Sequence, residues 1–253
     1  MKLNKTKIVA TLGPASSAKP MLKKLLNAGV DVFRVNFSHA SHAEVITTVK
    51  IIRDLSTELN IHPSILGDLQ GPKIRLGLVK KGVSVKKGDF IEITTKTVGE
   101  GDQKRVSINY LGFPKDVNPG EKVLVNDGKL ILEVLKTNKK DTVQAKVVQG
   151  GVLESRKGVN LPNTNISLPA LTKKDIEDAL FAIKNKFDWI ALSFVRSKKD
   201  VFELQKLIED NSLYKIPIIA KIEKPEAISN MDEIILASDG IMVARGDLGL
   251  EIP

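Results

Sequence analysis

The chain has 253 residues, no cysteine and a formal net charge of +9. The lack of cysteine excludes disulfides, thiol nucleophiles and cysteine-ligated zinc, and it is compatible with a reducing cytoplasm. No apolar run approaches the ~20 residues of a membrane-spanning helix, so we expect a cytoplasmic protein without a membrane partner.

The positive charge is unevenly distributed. Residues 72–167 carry 18 lysines and arginines against 10 aspartates and glutamates, whereas the remainder carries 21 against 20. Basic segments bind nucleic acids, membranes or phosphorylated small molecules, and a solvated lysine-rich surface is an equally good interpretation. Sites for single-stranded nucleic acids usually interleave aromatic residues with the basic ones. This segment has only Phe90, Tyr110 and Phe113, so we expect no nucleic-acid partner.

The first 71 residues alternate short apolar runs with amphipathic helical patterns. They predict strands at residues 7–13, 32–38 and 64–69 and helices at residues 20–28 and 43–59. Strands that alternate with helices indicate parallel βαβ units.

Residues 72–167 change to period-2 patterns separated by turn signals. Such signals occur at residues 87–89, 119–120, 126–128, 138–141 and 150–151. Strands are predicted at residues 83–85, 90–94, 122–125, 129–134 and 142–148. This spacing predicts a small antiparallel β-domain.

Helix and strand alternation resumes after Pro169. The predicted strands are residues 189–195, 217–223 and 241–245, and the predicted helices are residues 172–186, 199–209 and 225–237. Thr172 is a predicted N-cap, with Asp175 three residues later. The sequence therefore predicts one α/β domain in two parts, residues 1–71 and 168–253, with residues 72–167 inserted as a β-domain.

Two α/β architectures fit six parallel strands. A doubly wound sheet would be complete with six, and it commonly carries a glycine-rich phosphate loop after its first strand. That turn reads GPASS at residues 13–17, which is not G-x-G-x-x-G. An eight-stranded barrel would lack two strands, and the strand pattern alone does not decide between the two.

Polar side chains cluster at the carboxyl ends of predicted strands. Arg34, Asn36 and Ser38 share one face of the second strand, because side chains two residues apart point the same way. In barrels, functional residues gather at these strand ends. The alternative interpretation is a solvated edge strand.

Two carboxylates follow the fifth and sixth predicted strands. Lys221 and Glu223 end the fifth, and Asp247 follows the sixth. Oxygen ligands of this kind suit Mg²⁺, which keeps waters and shares positions with substrate oxygens. A structural ion pair between Lys221 and Glu223 is the alternative. Together with Arg34 and Arg75, these residues favour phosphoryl or enolate chemistry on a phosphorylated acid.

Several long motifs occur in an order that resembles the pyruvate kinase family. They are residues 6–16 (TKIVATLGPAS), 33–39 (FRVNFSH), 66–75 (LGDLQGPKIR), 157–162 (KGVNLP), 167–171 (SLPAL), 221–223 (KIE) and 242–253 (MVARGDLGLEIP). The resemblance implies a partial (β/α)8 barrel with an inserted small antiparallel β-barrel lid. It also implies that the chain stops after the sixth barrel strand and lacks a regulatory domain.

The resemblance implies that the protein transfers phosphoryl from phosphoenolpyruvate to ADP, giving pyruvate and ATP in the last step of glycolysis. Arg34 would contact the phosphate, and Lys221 would stabilise the phosphoryl group in flight. Glu223 and Asp247 would bind Mg²⁺, which Mn²⁺ could replace. The backbone amides of Gly246 and Asp247 would receive the substrate carboxylate.

The resemblance also implies a nucleotide site and an oligomer. The matching nucleotide positions are Asn36, Phe37, Ser38, His39, Arg75 and Lys157. Asp127 matches a lid aspartate that approaches the metal-nucleotide. The full-length parent would be a homotetramer.

One departure concerns the family's monovalent-cation site. Asn36, Ser38, Asp68 and the Leu69 carbonyl match that site, but Lys73 stands where potassium-requiring members carry glutamate. The ammonium of Lys73 can supply the charge that K⁺ otherwise brings. We therefore expect activity without K⁺.

Two other functions compete with this interpretation. A barrel lyase or aldolase that stabilises a pyruvate enolate with Mg²⁺ would share Glu223 and Asp247, but it would need no nucleotide. A non-catalytic fragment is the second alternative, because an open barrel leaves strand edges unpaired. On the sequence alone we expect little kinase activity from the 253 residues by themselves.

Overall fold

The structure is a computed structural model that describes residues 5–252. Its contacts divide the chain into two compact units. The first unit comprises residues 5–71, Ala170–Ile222 and Glu226–Val243, and the second comprises Pro72–Pro169, Glu223–Pro225 and residues 244–252. None of the helices in the described part of the chain is long and apolar enough to cross a membrane.

The first stretch forms three strands and two helices. They are β1 (Val9–Thr11), α1 (Lys19–Asn27), β2 (Val32–Asn36), α2 (His42–Leu59) and β3 (Ser64–Asp68). Helix α2 begins because the Ser41 hydroxyl accepts the Glu44 amide, and it ends at Asn60, which adopts a left-handed conformation.

The middle stretch forms short strands and one helical turn. They are β4 (Ser84–Val85), β5 (Phe90–Thr94), β6 (Arg105–Ser107), α3 (Phe113–Asp116), β7 (Lys122–Val125), β8 (Leu130–Thr137), β9 (Thr142–Gln149), β10 (Gly151–Val152) and β11 (Val159–Asn160). The predicted strands of this stretch are all present, and β6, β10, β11 and α3 are additional.

The last stretch returns to helices and strands. They are α4 (Lys173–Lys184), β12 (Trp189–Leu192), α5 (Lys198–Asn211), β13 (Ile218–Ile222), α6 (Pro225–Ser229), α7 (Met231–Ala237), β14 (Gly240–Val243) and α8 (Arg245–Glu251). Thr172 and Asp175 form the predicted capping box of α4, each side chain bonding the other's backbone amide. The predicted helix at residues 225–237 is two helices, because the chain breaks at Asn230.

The six parallel strands lie in one sheet in the order β1-β2-β3-β12-β13-β14. Every neighbouring pair is parallel. A doubly wound sheet reverses its strand order at a switch point, whereas this order follows the chain without reversal. The doubly wound alternative is therefore excluded, and the expectation of a partial α/β barrel with an inserted β-domain is confirmed.

The residue types along each strand match how deeply the strand is buried. In β3, β12 and β13 nearly every residue is buried, as in parallel sheets covered on both faces. In β2, Phe33 and Val35 are buried, whereas Arg34 and Asn36 alternate with them on the other face. Gly67 gives room to the rings of Phe37 and Phe187, because a Cβ there would stand 3.0 and 3.1 Å from them.

The second unit has a core of its own. Its main sheet has the order β11-β7-β8-β9-β5-β6, and β10 pairs with β4. The pairs are antiparallel except for β5 with β6, which run parallel. The core consists of inward-facing residues of these strands, among them Ile91, Ile93, Val106, Val123, Leu132, Val143, Ala145 and Val147.

Candidate active site

A buried carboxylate at the end of β3 holds two cations in the first unit. Asp68 is 1% exposed, and its Oδ2 accepts a hydrogen bond from Arg34 Nε at 2.6 Å. Arg34 also donates from Nη1 to the Thr11 hydroxyl at 2.9 Å. On the other side, Lys221 Nζ lies 3.2 Å from Asp68 Oδ1. The parallel order of β2, β3 and β13 brings these three side chains together.

Ser193 connects the lysine to the neighbouring backbone. Its hydroxyl accepts from Lys221 Nζ at 2.8 Å and donates to the Leu69 carbonyl at 2.6 Å. Ser193 is 1% exposed and Lys221 is 8% exposed. The ammonium is therefore held between a carboxylate and a hydroxyl, which fixes its position.

Both cations of this cluster share the carboxylate of Asp68. One carboxylate faces a guanidinium and an ammonium, and Arg34 remains partly exposed. A unit charge about 4 Å from an opposite charge gains ~4 kcal/mol at an effective dielectric of 20. The cluster is therefore suited to an anion with more than one oxygen, such as a phosphoryl group.

Residues 36–39 border a cavity of about 720 Å³ in the first unit. Asn36 and His39 line it, together with residues of the loop after β1 and of α2. The Asn36 side chain accepts the Ser38 amide at 3.0 Å, and the Asn36 carbonyl accepts the His39 amide at 3.1 Å. These bonds fold residues 36–39 into a turn that places Asn36 and His39 at the cavity.

Unlike its neighbours in the turn, Phe37 has a buried side chain. Its ring is 1% exposed and packs against Phe181 and Phe187. Its amide donates to the Asp68 carbonyl at 3.1 Å, and its carbonyl accepts from Lys174 Nζ at 2.8 Å. The side chain of Phe37 thus belongs to the core, where it supports the turn.

The residues of the predicted monovalent-cation site are already hydrogen-bonded in the first unit. The Asn36 side chain accepts from Ser38, and the Leu69 carbonyl accepts from Ser193. Asp68 faces two cations. A further cation at Asp68 would stand beside the positive charges of Arg34 and Lys221. Lys73 lies in the second unit and is partly exposed.

In the second unit, Arg75, Lys157 and Asp127 lie near the backbone of Gly158. Arg75 pairs with Gly158 in an isolated bridge, next to Lys157. The Gly158 carbonyl accepts the Asn126 amide at 3.0 Å. Asp127 follows in an exposed turn with left-handed backbone at both Asn126 and Asp127. Two predicted nucleotide-contacting residues, Arg75 and Lys157, therefore lie around Gly158 together with Asp127.

Glu223 and Asp247 also belong to the second unit. Glu223 is 1% exposed, and Asp247 is partly exposed in the first turn of α8. Carboxylate oxygens fit Mg²⁺ chemically. Within residues 5–252, no three His, Cys, Asp or Glu side chains group as a metal site, so such an ion would take its other ligands from water and substrate.

Sequence reasoning missed four residues near the predicted ones. Thr11 accepts from Arg34, and Ser193 accepts from Lys221. Lys224 and Glu251, which follow Glu223 and Asp247 by one and four residues, form a buried ion pair at 2.9 Å. Thr11, Lys224 and Glu251 stand within or next to the matching motifs. Ser193 carries no such signal, since it follows a strand as an ordinary turn residue does.

Comparison with known proteins gives one consistent result. The family model described as "Pyruvate kinase, barrel domain" matches residues 3–253. Pyruvate kinase of Corynebacterium efficiens is 46% identical over 250 residues, which are 98% of this chain and 52% of that protein. Pyruvate kinase of Thermococcus litoralis is 43% identical over 251 residues, which are 99% of this chain and 52% of that protein.

"Pyruvate kinase 2" of Synechocystis is 44% identical over 254 residues, which cover 98% of this chain and 42% of that protein. The chain thus spans about half the length of the curated relatives it matches. Since the family model covers almost every residue, the chain belongs to the pyruvate kinase family.

Proposed function

We propose that this chain carries the phosphoenolpyruvate-binding and Mg²⁺-binding part of a cytoplasmic enzyme that transfers phosphoryl from phosphoenolpyruvate to ADP. The observation that supports this most directly is the cluster of Arg34, Lys221 and Asp68, which holds two cations on one buried carboxylate. Family membership supports the reaction, because the relatives are named pyruvate kinases.

Each residue has a role in this proposal. Arg34 binds the phosphate of phosphoenolpyruvate, and Lys221, held by Ser193, stabilises the charge of the phosphoryl group as it moves. Glu223 and Asp247 would hold Mg²⁺, which supplies charge neutralisation for the transferring group. The amides of Gly246 and Asp247 receive the substrate carboxylate.

The family resemblance supports two sets of nucleotide-contacting residues, one in each unit. Asn36 and His39 line the 720 Å³ cavity, and Ser38 is the third polar residue of the same turn. Phe37 supports that turn from the core. Arg75 and Lys157 supply positive charge for the nucleotide phosphates, and Asp127 approaches the metal-nucleotide.

The test measures binding first and turnover second. Titration of the chain with phosphoenolpyruvate and Mg²⁺ should give a saturable heat that Lys221→Met weakens at least tenfold. In the full-length protein, ATP formation from phosphoenolpyruvate and ADP should fall ~100-fold or more in the same variant, because a charged group aimed at the transition state is lost.

The matched control is Lys206→Met, which removes an exposed lysine of α5 and should change neither measurement. A wild-type chain that binds no phosphoenolpyruvate at millimolar concentration would refute the proposal. Pyruvate enolisation that proceeds without any nucleotide would instead favour a lyase.

Potassium independence is a second part of the proposal. The parent enzyme should be active without K⁺, because Lys73 supplies positive charge and Asp68 already pairs with Arg34 and Lys221. Lys73→Glu should create a K⁺ requirement. Activity assays in sodium and potassium buffers check this, and a wild-type enzyme that K⁺ activates many-fold would contradict it.

A further inference from the structure

Glu251 is a buried carboxylate for which the proposed chemistry has no use. It is 4% exposed at the last residue of α8. Its Oε1 accepts from Lys224 Nζ at 2.9 Å and from Asn160 Nδ2 at 2.9 Å. Its Oε2 is buried and accepts no hydrogen bond from the residues that the structure describes.

The position of Glu251 in α8 argues against a role in helix stability. The C-terminus of a helix carries partial negative charge, so a carboxylate there is unfavourable. Burial of an ion pair also gives little net stability, because desolvation offsets the attraction. Glu251 therefore does not stabilise α8 through the helix dipole.

The two partners of Glu251 come from separate segments of the second unit. Lys224 directly follows Glu223, the proposed metal ligand, and Asn160 ends β11 of the β-sheet. Asp247 lies four residues before Glu251, one turn earlier in the same helix. The carboxylate of Glu251 therefore links α8, which carries Asp247, to two other segments. Through Lys224 it is bonded to the residue next to Glu223, and through Asn160 it is bonded to a strand of the inserted sheet.

A second contact places the same helix against the sheet. A Cβ on Gly128 would stand 3.6 Å from Leu250 Cδ2, so the turn that carries Asp127 lies beside the last turn of α8. Asn160 of β11 and Gly128 of the turn between β7 and β8 thus lie beside adjacent residues of α8.

We propose that Glu251 is a positioning residue for the divalent-metal site, which fixes Asp247 relative to Glu223 and ties both to the inserted sheet through Asn160. This inference rests on the proposed function. Residues behind the direct ligands of a metal orient those ligands, and their loss typically weakens metal affinity ~10–100-fold.

The experiment measures Mn²⁺ binding to the 253-residue chain from the electron paramagnetic resonance signal of the free ion. Glu251→Gln keeps the shape and an acceptor for Asn160 but loses the charge that balances Lys224. It should raise the Kd for Mn²⁺ ~10–100-fold at a temperature where the variant is fully folded. Asn160→Ala is milder and should raise the Kd severalfold, and the two effects should not add in the double variant.

The matched control is Glu233→Gln, which removes the same charge from an ion pair with Lys198 in the first unit. It should leave the Kd unchanged. Hydrogen exchange without metal provides an independent readout. The amides of α8 should exchange faster in Glu251→Gln, whereas those of β8 should not.

The outcomes separate this inference from the proposed function. Wild-type binding that Asp247→Asn abolishes supports the metal site, and unchanged Kd values in both Glu251→Gln and Asn160→Ala would then overturn the inference alone. Failure of the wild-type chain to bind Mn²⁺ would overturn both. A lower unfolding midpoint with an unchanged Kd would show that Glu251 is structural, and this also overturns the inference.

Discussion

At the scale of single residues, the candidate site depends on groups that have more than one partner. Asp68 faces both Arg34 and Lys221, and Ser193 both accepts and donates a hydrogen bond. A buried polar group is stable only when such partners are present. Replacement of one residue therefore affects several others.

Ser193→Ala should lower the free energy of unfolding by ~1–3 kcal/mol, because it leaves the Leu69 carbonyl without its hydroxyl donor and removes an acceptor from Lys221. Denaturant unfolding at neutral pH measures this. Ser84→Ala deletes an exposed hydroxyl in β4 and should change stability by less than ~0.5 kcal/mol. Equal effects of the two substitutions would show that the buried network does not stabilise the fold.

At the scale of elements, the parallel sheet repeats one hydrogen-bonding pattern where its strands begin. An aspartate lies just before each of β2, β12 and β14 and accepts a backbone amide from the neighbouring segment of the sheet. Asp31 accepts the Ile8 amide at 2.8 Å, and Asp188 accepts the Ile65 amide at 2.6 Å. Asp239 accepts the Ile218 amide at 3.0 Å. Each aspartate also pairs with a cation, namely Lys7, Arg53 or Lys215. Each aspartate thereby provides a hydrogen-bond acceptor for a backbone amide that would otherwise lack one.

These bonds make stability depend on pH. Burial raises the pKa of Asp239, but the hydrogen bonds from the Lys215 ammonium and the Ile218 amide outweigh it and keep the pKa below the ordinary 3.8. The amide of Ile8 chiefly lowers the pKa of Asp31, and the Lys7 ammonium adds to this. Carboxylates with a lowered pKa contribute stability above pH 3.8, and this contribution is lost as the pH falls through the value in the folded protein.

Asp239→Asn should therefore destabilise the protein at pH 7 by ~0.5 kcal/mol, as is typical of exposed ion pairs, and the difference from wild type should shrink toward pH 2. Thermal unfolding from pH 7 to 2 measures this. Asp232→Asn, an exposed carboxylate of α7, is the control. A difference that grows at low pH would contradict the assignment.

At the scale of the molecule, the parallel sheet has two edge strands among the described residues. Within residues 5–252, β1 and β14 have one hydrogen-bonded strand neighbour each. Val9 on β1 is 50% exposed and Val243 on β14 is 55% exposed. An exposed apolar edge strand is a template for pairing with another chain.

The chain should accordingly self-associate as its concentration rises, and Val243→Lys should suppress this, because a charge on an edge strand opposes pairing. Sedimentation velocity over a hundredfold concentration range is the measurement. Leu111→Lys adds the same charge in an exposed loop and should have no effect. Association that persists in Val243→Lys and vanishes in Leu111→Lys would place the contact elsewhere.

The sequence by itself determined the elements, the six parallel strands and the family. Periodic apolar runs and the Thr172 cap are local signals, because spacing along the chain decides which faces are buried. Strand-end positions and long motifs predicted Arg34, Lys221, Glu223 and Asp247 as site residues, and these signals are local as well. Short pieces such as α8 and the break at Asn230 escaped prediction, since packing rather than propensity sets their ends.

Only the tertiary structure decided the strand order and the partners of the charged groups. The doubly wound sheet and the barrel share the same strand pattern and differ in which strands pair. The contacts of Asp68 with Arg34 and Lys221 join residues 34 and 153 positions away, and those of Glu251 join residues far apart in the chain. Charges so distant in sequence meet only when the sheets form, because the paired strands hold them in place.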